Sequence, residues 1–187
     1  MGVDRDHLTA LYAGTSDPWN FEHSGYEQAK FAATRAALSR RAYASAFELG
    51  CGNGQLARIL APLCSRYAGM DAVGIAISAA RRTVPDARFV QGFYPCALPA
   101  GDFDLLVLSE ILYFLDGRSL RTLAREIATS WPRAEVLCVT WLGETGHDIQ
   151  GEEALALFSA ALTTHAIMPV TQTEGYRIDR GLPKEGS

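Results

Sequence analysis

Residues 46–54 read Ala46-Phe47-Glu48-Leu49-Gly50-Cys51-Gly52-Asn53-Gly54: a short apolar run, a carboxylate, then three glycines at alternate positions. The segment "QLARILAPL" follows at once, with the apolar spacing of a helix. Glycine tolerates positive φ and lets another group approach bare backbone. A strand that turns through such glycines into a helix is either plain architecture or a cradle for a ligand. The order G-x-G-x-G departs from the dinucleotide fingerprint G-x-G-x-x-G, because position 55 is Gln.

Outward from this turn, strand and helix alternate. Apolar strands are predicted at Arg66–Asp71, Ala87–Gln91, Asp104–Leu108 and Glu135–Trp141. Helices are predicted at Ser24–Tyr43, Gln55–Cys64 with a bend near Pro62, Ile75–Arg82, Ser119–Ser130 and Glu152–Thr164. Residues Ile167–Ile178 read as a final hairpin. The strand "DLLVL" is apolar throughout rather than alternating, as a sheet covered on both faces requires. The pattern is that of an α/β protein with a mostly parallel sheet and helices on both sides. Such sheets bind ligands beyond the carboxyl ends of their strands, where strand order reverses.

The bounds agree. The 187 residues are 48% apolar and 20% charged, which suits one globular domain with one core. No linker or repeat interrupts them. The net charge is −4 and no basic block stands out, which argues against a nucleic-acid partner. No apolar run approaches the ~20 residues of a membrane span. The N-terminus lacks a secretory pattern, and Gly2 lacks the Ser or Thr that acylation there would need. Cys51, Cys64, Cys96 and Cys138 are scattered, with no C-x-x-C pair. They read as free thiols of a reduced cytoplasm, with no metal site. Residues 1–14 and Pro183–Ser187 are expected to be flexible.

Three polar groups fall at strand ends: the glycine turn, Asp71 and the pair Ser109-Glu110. Asp71 lies 21 residues past Gly50, an offset at which a carboxylate can accept from ribose hydroxyls. The bland alternative is a solvated strand-end aspartate.

At these residues a resemblance emerges. "ELGCGNGQLARIL", Asp71, "ALPAGDFDLLVLSEILYFL" and "VLCVTWL" look like class I S-adenosylmethionine-dependent methyltransferases. The segments "DPWNFEHSGYEQAKF" (Asp17–Phe31) and "SEILYFLD" (Ser109–Asp116), with the late "GYRIDRG", are similar to the nodulation N-methyltransferase family NodS. The resemblance spans roughly residues 17–181. It implies a three-layer, doubly wound, seven-stranded Rossmann-like sheet ending in an antiparallel hairpin. It also implies one domain over 1–187, with a lid and helix at 15–45 and an α/β core at 46–182.

The resemblance further implies S-adenosyl-L-methionine as cofactor. Glu48, Gly50, Cys51, Gly52 and Gly54 would hold its amino acid part, and Asp71 with Ala72 its ribose. Gln91, Gly92 and Phe93, up to Tyr94, would flank the adenine. Phe93 stands where many relatives carry an acid. Ser109 and Glu110 would lie beside the methionine chain. Trp19, Tyr26 and Lys30 would form a lid, although Trp19 could instead staple the first helix, and Lys30 could be a solvated face.

The nucleophile of an N-methylation needs a free lone pair, so a nearby proton acceptor helps. The candidates are Glu110 and His147, the latter in the loop pair His147-Asp148, with Tyr113 to orient the acceptor. His147 could equally be an exposed loop residue, and Tyr113 could pack against the cofactor. The expected acceptor is a small molecule or an amino-sugar or oligosaccharide amine. Trp131 and Trp141 read as packing. Two other readings remain: a non-catalytic S-adenosylmethionine-binding regulatory or partner subunit, and a nicotinamide-dependent oxidoreductase, which the glycine spacing disfavours.

Overall fold

A computed structural model describes residues 5–185. The reading of Gly2 lies outside them, as do residues 1–4 and 186–187 of the termini expected to be flexible. The rest of the N-terminal stretch contains a helix, α1 (Arg5–Leu11), whose following Tyr12 is buried.

Helix α2 (Gly25–Ala36) starts at Ser24, whose side chain accepts from the Glu27 N–H. It ends seven residues before the expected Tyr43, because Tyr43 already opens strand β1 (Tyr43–Leu49). The glycine turn leads into α3 (Gln55–Leu60), which tightens into a 3-10 turn at Ala61–Leu63, where Pro62 sits. Next come β2 (Cys64–Asp71), α4 (Gly74–Thr83) and β3 (Arg88–Gln91). Strand β4 (Leu105–Ser109) is followed by a 3-10 turn at Leu112–Phe114 and by α5 (Gly117–Ser130). Then follow β5 (Glu135–Trp141), α6 (Gly151–Ala161), β6 (His165–Gln172) and β7 (Tyr176–Pro183).

The seven strands form one sheet in the order β3-β2-β1-β4-β5-β7-β6. Strands β3, β2, β1, β4 and β5 are parallel, while β7 runs antiparallel to both β5 and β6. The expected seven-stranded, doubly wound sheet with a terminal hairpin is what forms. Strand order reverses between β1 and β4, so a crevice opens beyond their carboxyl ends.

The uniform hydrophobicity of β4 follows from the layers. Leu106 and Leu108 pack with α5 and α6 on one face, through Leu120, Leu123, Ile127 and Phe158. Leu105 and Val107 pack on the other face with Phe31, Leu56, Leu60 and Ile77 of α2, α3 and α4. Strand β5 divides the same way, Val136 and Cys138 against Leu137 and Val139. Period-two alternation persists, but both faces are apolar. At the far edge, β6 carries Pro169, and its register with β7 shifts between Pro169 and Thr171.

Candidate active site

The glycine turn is pinned to the end of β2. The N–H groups of Gly50 and Cys51 both donate to the Met70 carbonyl, at 2.8 and 3.1 Å. Gly50, Gly52 and Gly54 have φ of 77°, 52° and 81°, the left-handed region that glycine enters freely. At Gly54 space forbids a side chain as well, since a Cβ would stand 2.9 Å from Cα of Ala80. Asp71 closes the turn from β2. One carboxylate oxygen accepts from the Gly52 N–H and the other from the Val73 N–H, each at 2.9 Å. Burial pushes its pKa up, and those backbone donors pull it part of the way back.

Above the turn lies a cavity of about 480 Å³. Strand ends supply its floor: Glu48 to Asn53, Met70 to Val73, Gly92 to Tyr94 and Ser109 to Ile111. Glu48 is buried, and its carboxylate accepts from the Tyr67 hydroxyl at 2.8 Å. Burial pushes the Glu48 carboxyl up to about 8; the Tyr67 hydroxyl opposes this, and the Asp71 charge adds to it.

Glu110 leaves β4 with φ of 52°, unusual for a residue with a side chain. Its N–H still donates to Val139 of β5 at 2.8 Å, so the chain turns sharply without losing the ladder. The carboxylate meets Nζ of Lys30 at 2.6 Å. Lys30 is 1% exposed and also donates to Glu27 at 3.0 Å. Burial raises the Glu110 pKa, and Lys30 restrains the rise.

Two aromatic groups wall the cavity. Tyr12 meets Trp19 edge-on at 5.5 Å, and Trp19 stacks on Phe21 at 5.5 Å. Across from them His147 stacks on Tyr113 at 5.9 Å and tilts against Phe114 at 4.7 Å.

Most of the residues singled out in the sequence therefore converge on one cavity: Trp19, Lys30, Glu48, Gly50, Cys51, Gly52, Asp71, Ala72, Gly92, Phe93, Ser109, Glu110, Tyr113 and His147 line it. Gly54 supports the turn from behind. Gln91 donates from its side chain to the Ala72 carbonyl at 3.0 Å, outside the lining. Tyr26 is 45% exposed and packs edge-on to Trp141 and Tyr176 on the outer surface. Asp148 is exposed and also lies outside the lining. Lys30 is no solvated helix face; its ammonium is held by two carboxylates. Trp131 is core, as expected, but Trp141 reaches the cavity. Sequence reasoning passed over Tyr12, Glu27, Phe114 and Glu144, which also line it. Only Glu27 left a signal, its spacing of three from Lys30 on one helix.

The residues present fit a cationic, nucleoside-bearing cofactor. The cradle is bare backbone, five carboxylates line the cavity (Glu27, Glu48, Asp71, Glu110 and Glu144), and the buried Asn53 Oδ1 has no hydrogen-bond partner within the protein. Among the described residues no group of acids, cysteines and histidines is arranged to hold a metal ion.

Residues 5–167 match the family model of Nodulation protein S (NodS). The chain belongs to the NodS family. It is 29% identical over 180 residues to Nodulation protein S of Bradyrhizobium diazoefficiens, covering 87% of this chain and 83% of that one. It is 27% identical over 154 residues to Nodulation protein S of Sinorhizobium fredii, covering 80% and 66%. The fold matches the N-methyltransferase NodS from Bradyrhizobium japonicum WM9, solved with S-adenosyl-L-homocysteine, at a TM-score of 0.81 and 22% identity, covering 98% of this chain and all of that one. This member of the NodS family thus has the Rossmann-like methyltransferase fold.

Proposed function

We propose that this chain moves a methyl group from S-adenosylmethionine to an amine of a small-molecule or amino-sugar acceptor. By family and fold it is a class I methyltransferase. The observation that carries the finer reading is the meeting of two features in one cavity: the Asp71-pinned glycine turn and the buried Glu110 carboxylate. The relative from Bradyrhizobium japonicum, named an N-methyltransferase, supports the choice of nitrogen as nucleophile.

When bound, the cofactor supplies an electrophilic methyl on a sulfonium sulfur. The chain's own groups bind, orient and exclude water. Glu48 and the backbone at 50–53 face the amino acid part. Asp71 spends one contact of each oxygen on the backbone and keeps lone pairs for ribose hydroxyls. Phe93 offers the adenine an apolar face in place of an acid. Tyr12, Trp19 and Phe21 shield the turn from solvent. Glu110, with its raised pKa, takes the proton that an acceptor ammonium must lose. Tyr113 and His147 form the opposite wall and orient the acceptor.

We place the protein in the cytoplasm. Its four cysteines are not joined in disulfides, and two of them are buried. Among the described residues, no helix is long and apolar enough to cross a membrane.

Calorimetry with S-adenosylhomocysteine tests the cofactor site. The parent is expected to bind in the micromolar range and Asp71→Ala at least tenfold more weakly, about 1.4 kcal/mol. No binding by the parent refutes the reading.

A further inference from the structure

Helix α6 starts from Gln150, whose side chain makes no capping bond to the helix. Good caps are Ser, Thr, Asp and Asn, so the residue type does not serve α6. The Gln150 amide turns back instead onto the loop after β5. Its Oε1 accepts from the Thr145 N–H at 3.0 Å and from the Thr145 hydroxyl at 3.1 Å. Its Nε2 donates to the His147 carbonyl at 3.0 Å. The Thr145 hydroxyl oxygen in turn accepts from the His147 N–H at 3.2 Å. These partners fix which way the amide points, since an N–H needs an acceptor and a carbonyl needs a donor. Both backbone groups of His147 are thus tied to one side chain, one directly and one through Thr145.

The loop itself supplies a second observation. Residues 142–149 form neither helix nor strand, and Gly146 turns through a φ of 71°. Yet Glu144, Thr145 and His147 line the cavity, while Gln150 lies outside the lining. The His147 ring lies 22° from parallel to Tyr113 and also meets Phe114. Those two rings belong to the 3-10 turn after β4, so the contact joins segments distant in sequence. A side chain orients a substrate only when neighbouring groups lock its own position.

We propose that Gln150 is the positioning residue of the acceptor wall: its amide holds the 145–147 turn so that the His147 imidazole stays packed on Tyr113 and Phe114 beside the acceptor. The proposal rests on the reading of this wall as the acceptor side. The shorter side chains of good caps give up the reach to the loop. Glu152 and Glu153 in the first turn supply the negative charge that a helix start favours, so α6 forms without a capping side chain.

The test sets helix capping against loop holding. Gln150→Ser improves the cap and removes the hold on the loop, so stability and activity should part. The full chain is assayed with radiolabelled S-adenosylmethionine and with glucosamine, ethanolamine and benzylamine as amine probes. Gln150→Ser is expected to keep or raise the melting temperature and to bind S-adenosylhomocysteine within twofold of the parent. Its kcat/KM for the amine is expected to fall at least fivefold. Gln150→Glu keeps an oxygen for Thr145 but has no donor for the His147 carbonyl, and should lie between the two. The His147 ring gives a readout that needs no acceptor. In histidine-labelled protein its resonances, assigned through His147→Gln, carry the ring-current shift of Tyr113 and Phe114. They are expected to move toward free-histidine values in Gln150→Ser.

An unmoved His147 resonance in Gln150→Ser overturns the proposal, and so does an unchanged kcat/KM. A lowered melting temperature with a matching loss of S-adenosylhomocysteine affinity overturns it too, because Gln150 then serves the fold as a whole. A parent that binds S-adenosylhomocysteine but methylates none of the three amines counts against the amine reading, and the His147 resonance then decides whether Gln150 holds the ring. Failure of the parent to bind S-adenosylhomocysteine is a different result, which refutes the cofactor reading itself.

Discussion

Glu48 sits one residue before the end of β1, with its carboxyl in a dry part of the floor and one tyrosine hydroxyl for company. Its pKa stands at about 8 against an ordinary 4.5, so the folded chain holds a proton that the unfolded chain releases. The sign follows from linkage. The contribution is complete below pH 4.5, declines as pH rises through that window, and is lost near pH 8. One titrating group changes stability by at most about 1.4 kcal/mol per pH unit. Glu48→Gln cannot titrate and can still accept from Tyr67. Its thermal midpoint is therefore expected to fall less than the parent's between pH 5 and 8. Parallel curves for the two proteins would mean that Glu48 is already ionised in the fold.

Among the elements, α2 matters most for the site. It lies across the sheet through Phe31 and delivers Lys30, almost fully shielded, to the crevice. Lys30→Met keeps most of the side-chain volume but leaves Glu27 and Glu110 without their cation. Removing one partner of a buried ion pair costs about 3–5 kcal/mol. The loss should shrink at acidic pH, where Glu110, its pKa already raised by burial, can neutralise itself by protonation. Urea unfolding at pH 5 and pH 8 checks both parts. The same helix marks where sequence reading stopped. Its start was legible in Ser24 and its alanine-rich body, but its end was not. The aromatic Tyr43 suits a strand as well as a helix, and pairing with β2 decides the matter. Likewise the turn, Asp71 and Glu110 were legible because glycine spacing and strand-end acids are local signals. Tyr12 and Phe114 were not, since their roles come from contacts between distant segments. The left-handed backbone at Glu110 leaves no trace in residue type at all.

For the whole molecule, the crevice at the reversal of strand order joins both halves of the sheet, so a ligand there braces the entire fold. S-adenosylhomocysteine at one hundred times its dissociation constant should add about 2.7 kcal/mol of stability. For a chain of this size that raises the melting temperature by about 5–10 °C. Differential scanning calorimetry with increasing ligand measures it, and a midpoint that does not move would show that nothing binds the folded state preferentially. The sheet's two outer margins have a separate consequence. One is β3, only four residues long and opening on Arg88. The other is β6, where Met168 and Val170, at 64% and 40% exposure, flank Pro169. Exposed apolar side chains on an outer strand invite a neighbouring molecule to add its own strand, and so on into a fibre. Proline offers no N–H to such a partner, and the register shift beside it breaks the straight row of groups that templating needs. The short, charged margin and the interrupted one are both poor templates for an eighth strand.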